Sequence, residues 1–443
     1  MNRKKYFRFL SFMIIASSFL PLVFNNLPNY IRSHHIWTIL WFLSIIVFYP
    51  KMISNKNILY LLFYGAVIVI GLNTFWKTMD EWNKSMIYNE FYQISVGLTV
   101  FIYYKHSKDY AGLAHISKWG VIFLIITAVM TIVSSIIDPL YARKIVGLAS
   151  VSSESLREEL LEIKKLGGGG YGTSIAFMSL VPIIIGVFKH PTEIKINRMI
   201  LLGILFLFIS ALLGIQLFAN ILLALLFFIL AFFSIQRFKK AFTIAIIVFA
   251  ALAFVPNDFY YRALLGTSNL FSDDSNVSYK LRDLAIYTGT NSEWGDNSTG
   301  IGSRANRYSQ LAGSFFQSPL MGSYFLNDNN AKGYLQNSFY YGSGIIQIEG
   351  THIHWMNKLT VTGIVGFLFF FLIIFRFIKI INAEMRSSFK YYCVLALFSI
   401  LSYGLIKTIA GRDAWYSFFI IIPGLYFFIT NSNNSCPKLT ENE

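Results

Sequence analysis

Two arginines three residues apart, Arg304 and Arg307 in the stretch GSRANRYSQLAGSFFQSPLMGSYF, offer the first chemistry in this sequence. On a helix, residues at i and i+3 share a face, and each guanidinium presents a planar fork of donors that fits phosphate oxygens. The pair could hold a diphosphate. The same spacing also suits solvated surface arginines, or arginines paired to loop acids such as Asp283. Farther along, His352 and His354 stand two apart just before an apolar run, so in an extended segment both rings point the same way, with Glu349 nearby. A neutral imidazole is the usual side chain for taking a proton from a hydroxyl near neutral pH. The Glu-x-x-His-x-His cluster could instead bind a metal, although no His-Glu-x-x-His and no third strong ligand motif lies close by, or it could pack at an interface.

The elements that must position these groups are membrane helices. The 443-residue chain is 55% hydrophobic and 17% aromatic, and only 13% of its residues are charged, against about a quarter in soluble domains. Apolar runs of about 17 to 25 residues recur, the length that crosses the hydrocarbon core. They predict an all-α polytopic membrane protein of about twelve spans, near 7–24, 36–50, 58–75, 87–104, 119–137, 171–188, 198–214, 217–234, 241–255, 359–378, 390–408 and 414–430. The fourth span carries Glu90 and Gln93 near one end, which predicts a helix facing other helices more than lipid.

The net charge of +15 would raise nucleic-acid binding in a soluble chain. Here the basic residues fall in every second loop, among them Arg3, Lys4, Lys5 and Arg8, then Lys51 and Lys56, then Lys105 and Lys108, and later Arg376 and Lys379. This positive-inside pattern predicts cytoplasmic termini and reports orientation, not a nucleic-acid partner. Of the two cysteines, Cys393 lies in a predicted span and Cys436 in the polar tail, so neither a disulfide framework nor a zinc knuckle can be built. The start NRKKYFR before an apolar run looks like a signal peptide, yet no clear small-x-small cleavage site precedes Pro21, and the reading is an uncleaved first span.

The domain reading places helices one to nine in 1–255, with a smaller extracytoplasmic loop at 138–170. A large extracytoplasmic loop follows at 256–358, then helices ten to twelve in 359–430, and a cytoplasmic tail at 431–443. In the smaller loop, SLREELLEIKKL has a capping box in Ser155 and Glu158 and an apolar face of Leu156, Leu160 and Ile163. That segment suits an interfacial helix or a lid over a site, and Gly167–Gly170 then end it. The large loop is rich in Ser, Asn, Gly, Tyr and Asp, a surface compatible with sugars and with any extracytoplasmic loop.

Four features occur in a fixed order: Arg304 and Arg307, the turn Ser318-Pro319-Leu320-Met321-Gly322, His352, and, eleven residues after that histidine, Gly363-Ile364-Val365-Gly366 opening a span. In this order and spacing the chain resembles the O-antigen polymerase and O-antigen ligase superfamily of bacterial cell-surface polysaccharide assembly. Tyr141-Ala142-Arg143 and the later GGGGYGTSIAFM look like the family's arginine and its glycine-rich segment in the first loop. The family often has Asn directly after its histidine, whereas this chain has Ile353 and then His354, so both histidines stay candidates.

The resemblance implies a membrane glycosyltransferase acting at the bacterial inner membrane. Its donor would be a polyprenyl-diphosphate-linked oligosaccharide, moved onto a hydroxyl of the next lipid-linked repeat unit as in O-antigen or capsule synthesis. Arg143, Arg304 and Arg307 would bind the diphosphate, and His352, or else His354, would orient or deprotonate the acceptor hydroxyl. A site with its own positive charge needs no metal, and the nearest Asp-x-Asp-like pair, Asp273-Asp274, is not at a membrane boundary; no cofactor is expected. Expected partners are membrane lipid, a chain-length regulator and a flippase. A ligase or related oligosaccharyltransferase shares the motif. A lipid-linked sugar flippase would instead show repeated halves and ionisable groups at mid-membrane, and no internal repeat is visible.

Overall fold

A computed structural model of the chain describes residues 3–28, 34–74, 81–138, 141–142, 162, 165–190, 197–215, 217–233, 256–270, 276–289, 311–313, 315–316, 318–322, 354–385, 387, 389–409 and 411–431. Everything ordered among them is helical. α1 (Arg3–Phe19) gives way at Leu20 to the short α2 (Pro21–Phe24), since Pro21 has no N–H with which to continue the ladder. α3 (His34–Phe48), α4 (Lys56–Thr74), α5 (Glu81–His106) and α6 (Tyr110–Ile137) follow. Next come α7 (Tyr171–Lys189), α8 (Arg198–Ile215) and α9 (Phe218–Phe232). Within the predicted large loop, α10 (Asn257–Ser268) and α11 (Asn276–Gly289) pack on each other. The chain closes with α12 (His354–Glu384), α13 (Lys390–Ile406) and α14 (Arg412–Tyr416), which runs through a π-helical turn, Ser417–Ile421, into α15 (Ile422–Asn431).

The outer helices turn large apolar side chains outward: Val47 on α3 is 69% exposed, Phe206 on α8 73% and Phe375 on α12 52%. Such a surface is stable only in lipid, where the helical ladder already satisfies the backbone. This is an all-α, multi-pass membrane protein. Five described helices are long and apolar enough to cross alone: Tyr110–Ile137, Tyr171–Lys189, Arg198–Ile215, His354–Glu384 and Arg412–Thr430. That is fewer than the twelve spans expected. Helices such as His34–Phe48 and Lys390–Ile406 are apolar but short, Glu81 and Glu90 dilute α5, and the segment 241–255 lies outside the described residues.

The core is made by α7, α14–α15 and the second half of α5. Fifteen residues of α7 are buried, and residues 94–104 of α5 are buried throughout, so the fourth span faces protein as its polar residues predicted. Small residues let these helices approach. Gly424 lies against Ser117 of α6, whose hydroxyl donates to the Ile420 carbonyl at 3.0 Å in the π-helical turn.

Polar pairings sort the helix ends into two groups. At one end Arg8 meets Asp109, Lys105 Nζ lies 3.0 Å from Glu384 Oε1, the Tyr110 hydroxyl donates to Glu384 Oε2 at 3.0 Å, and Arg376 Nε donates to Asn57 Oδ1 at 3.0 Å. At the other, Ser17, Ser18, His34, Glu90, Thr173, His354 and Asp413 gather. Successive helices therefore alternate in direction, and the first group forms a basic end.

Asp109 caps α6 there, accepting from Gly112 N at 3.2 Å and taking the Arg8 fork with Nε–Oδ2 2.8 Å and Nη2–Oδ1 2.5 Å. Burial pushes the Asp109 carboxyl up, but the hydrogen bonds and charge of Arg8 outweigh it and hold the group below its ordinary value. A folded pKa below the unfolded one, about 4, stabilises above that range and loses its contribution as pH falls through the lower folded value. Arg8 is 39% exposed, which limits the pair to about 1 kcal/mol. Arg8→Gln should lower the thermal midpoint at about pH 7 and make its decline toward acid shallower; parallel pH curves for variant and wild type would contradict the pairing.

Candidate functional site

Two of the sequence motifs meet here. Residues 311–313 and 315–316 are helical, and after Ser318-Pro319 Gly322 closes a turn with φ 78°, its N–H donating to the Ser318 carbonyl at 2.8 Å. α12 breaks at Gly363, where φ is 63° and ψ −175°. The break frees two N–H groups, and the turn receives them: Ile364 N donates to Pro319 O at 2.8 Å and Val365 N to Leu320 O at 3.1 Å. A Cβ on Gly322 would land on Gly363 N and Val361 O, and one on Gly363 would land on Leu320 O. Glycine is thus required at both positions by the backbone contact as well as by φ. Thr360 adds a hydroxyl bond to Leu311 O at 3.0 Å.

One turn earlier, α12 carries a buried charge cluster. His354 and Lys358, at i and i+4, both face Glu90 of α5, with His354 Nε2 3.3 Å from Glu90 Oε1 and Lys358 Nζ on Glu90 Oε2. Their exposures are 1%, 2% and 8%, so lipid and bulk water are both excluded from the group. Rings close it in: Trp355, Phe370 and Trp415 lie with centroids 5.2, 6.1 and 6.0 Å from the His354 ring. A carboxylate buried this deeply persists only when paired, and Lys358 supplies the charge. Beside it, Asn357 Oδ1 and Trp415 Nε1 are buried without a hydrogen-bond partner among the described residues.

A second polar group adjoins the first through α14. Tyr416 follows Trp415, and its hydroxyl is 2.6 Å from His34 Nε2, whose Nδ1 is 2.6 Å from Ser17 Oγ. Asp413 accepts from Ser18 Oγ at 2.7 Å and from Thr173 Oγ1 at 2.5 Å. Thr173 is placed by the glycine-rich segment: Gly169 N donates to Thr131 Oγ1 at 2.7 Å, and the Tyr141 hydroxyl donates to Gly169 O at 2.8 Å. Arg412 is half-buried and makes no hydrogen bond or ion pair with described residues. The arrangement leaves a half-buried guanidinium open to an anion at one end of the bundle.

Of the residues expected to act, His354 alone lies among the described ones, and it is in the Glu90 cluster. Arg143, Arg304, Arg307 and His352 lie outside the described residues, as do Asp273 and Asp274 and all but Glu162, Lys165 and Leu166 of the predicted SLREELLEIKKL helix. Tyr141, two residues before Arg143, is fully buried. Sequence reasoning passed over Lys358, His34, Arg412 and Asp413. The sequence held a signal only for the arginine: Lys407 and Arg412 put two basic residues in the short segment between the last two predicted spans. Among the described residues no group of three His, Cys, Asp or Glu side chains could hold a metal ion. No protein-family model matches the chain, and no curated protein matches it. What the fold supports is an all-α, multi-pass membrane protein with a buried charged cluster at the end of the bundle opposite its basic end.

Proposed function

We propose that the chain is a polysaccharide polymerase of the bacterial inner membrane, joining polyprenyl-diphosphate-linked repeat units of O-antigen or capsule type with release of polyprenyl diphosphate. The carrying observation is the backbone contact between the Pro319–Gly322 turn and the Gly363 break. It joins the two halves of the motif by which the sequence resembles the superfamily, and they are the halves that bracket His352. A twelve-span topology with both termini cytoplasmic belongs to this reading. The basic end of the bundle, with Arg8, Lys105 and Arg376, is then cytoplasmic, and the His354 end faces the extracytoplasmic space.

In this reading the acceptor hydroxyl attacks the anomeric carbon, and the bond from that carbon to the diphosphate oxygen breaks. The electron pair stays on the diphosphate, which Arg143, Arg304 and Arg307 bind, with the half-buried Arg412 as a further cation. The acceptor proton passes to His352. His354 is buried and enclosed by rings, its Nε2 3.3 Å from Glu90 Oε1 without a hydrogen bond among the described residues, which suits a positioning role for the start of α12 better than contact with a sugar.

The test is the size distribution of surface and lipid-linked polysaccharide after deletion of the gene and complementation with wild type, Arg304→Ala, His352→Ala or Arg412→Ala. Expected is loss of long chains with single repeat units remaining. At normal membrane levels, Arg304→Ala and His352→Ala should fail to restore polymer, with about a hundredfold or greater loss for each. Full-length polymer stranded on its carrier would mean a ligase, and repeats trapped on the cytoplasmic side a flippase.

A further inference from the structure

The basic end of the bundle holds a cavity of about 360 Å³ between α4, α5 and α12, lined by Lys56, Lys105, His106, Arg376 and the side chains of Asn55 and Asn57. Three cations, Lys56, Lys105 and Arg376, converge there. Glu384 neutralises Lys105 at 3.0 Å, and Arg376 is held in place by its bond to Asn57 and by the Tyr60 ring, 5.4 Å away. Lys56 is exposed and has no ion pair among the described residues. The charge that remains is positive.

A second feature gives this charge its meaning. An apolar groove of about 590 Å³ runs between α3, α4 and α5, with walls that include Phe42, Ile45, Ile58 and Leu61. Along α5 the groove is lined by Tyr88, Tyr92, Ser95 and Thr99, and the basic cavity by Ile102 and His106. These positions follow one another at three- and four-residue steps, so groove and cavity lie end to end on one stripe of α5. They also share the start of α4: Ile53 and Ile58 line the groove, and Asn55 to Asn57 line the cavity. An amphiphile of one negative charge and long apolar chains matches both parts at once.

We propose that this cavity and groove bind an anionic phospholipid of the adjoining leaflet, its headgroup phosphate among Lys56, Lys105 and Arg376 and an acyl chain along α5. By the positive-inside rule that leaflet is the cytoplasmic one. The site is at the opposite end of the bundle from His354 and does not depend on glycosyl transfer. Arg376 and Asn57 anchor α4 to α12, so the bound lipid would brace α4 against the helix that breaks at Gly363.

The test uses the purified full chain in detergent, titrated with phosphatidylglycerol or phosphatidylcholine and read by native mass spectrometry for retained lipid and by thermal midpoint. Phosphatidylglycerol should be retained preferentially and raise the midpoint more than phosphatidylcholine. At about 1 kcal/mol per surface cation, Lys56→Gln should weaken retention about fivefold and Lys56→Glu about thirtyfold. Lys56 is exposed, so both variants should fold, and a midpoint without lipid equal to that of wild type checks this. Equal retention of the two lipids, or undiminished phosphatidylglycerol binding by Lys56→Glu, would overturn the proposal. Displacement of the lipid by the same concentration of inorganic phosphate would identify a site for a soluble anion and overturn the lipid assignment.

Discussion

Gly363→Ala should strip the membrane of most folded protein, with a loss of about 3 kcal/mol or more in stability. At φ 63° and ψ −175° the residue occupies a region open essentially to glycine. An added Cβ also collides with the Leu320 carbonyl and Gly322 N, part of the turn that receives the freed N–H groups of α12. Relief would require the turn to withdraw, leaving Ile364 and Val365 donors unpaired next to the hydrocarbon. Gly203→Ala is the matched control, since nothing lies within 4 Å of the position its Cβ would take on α8 and the helix there is regular. It should be neutral or slightly stabilising. Membrane level and the thermal midpoint of the solubilised protein measure both. A wild-type midpoint for Gly363→Ala would mean that the break and its docked turn are not as described.

Glu90→Ala should cost about 3 to 5 kcal/mol, because it leaves Lys358 buried with its charge uncompensated. Lys358→Met should also destabilise, because it removes the cation that Glu90 faces at the start of α12. The double variant Glu90→Leu/Lys358→Met replaces the ion pair by apolar groups of similar size and should recover most of the loss, a coupling of about 2 kcal/mol or more in a double-mutant cycle. Additive single losses would mean that the two side chains do not meet. The cycle also separates structure from chemistry. On the proposed polymerase reading, if the cluster serves only to hold α5 to α12, the double variant should make polymer of normal length once stability returns. If Glu90 aligns the start of α12 and hence His352, polymer length should stay short in a protein that melts like wild type. That outcome supports the positioning role of His354 argued from its burial.

The sequence by itself determined the class of this protein and the outline of its motif. Lipid leaves the backbone no partner but itself, so composition over a window of about twenty residues is enough to read a spanning helix. The polar end of α5 was legible in the same way, because Glu90 cannot face hydrocarbon. Ser318-Pro319 and Gly322 specify a stop and a turn through local backbone chemistry, and Gly363 a break, with no knowledge of what lies nearby. Among the described residues five helices are long and apolar enough to span alone, fewer than the twelve apolar runs, since hydropathy shows where such a run lies but not how long its helix is. The partners were decided only by the tertiary structure. That the turn docks on the Gly363 break, that Glu90 pairs with Lys358 and His354 on a helix far along the chain, and that His34, Tyr416, Asp413 and Arg412 form one group depend on which helices become neighbours. Neighbour choice is set by side-chain fit between segments remote in sequence, a long-range property that helical periodicity does not encode.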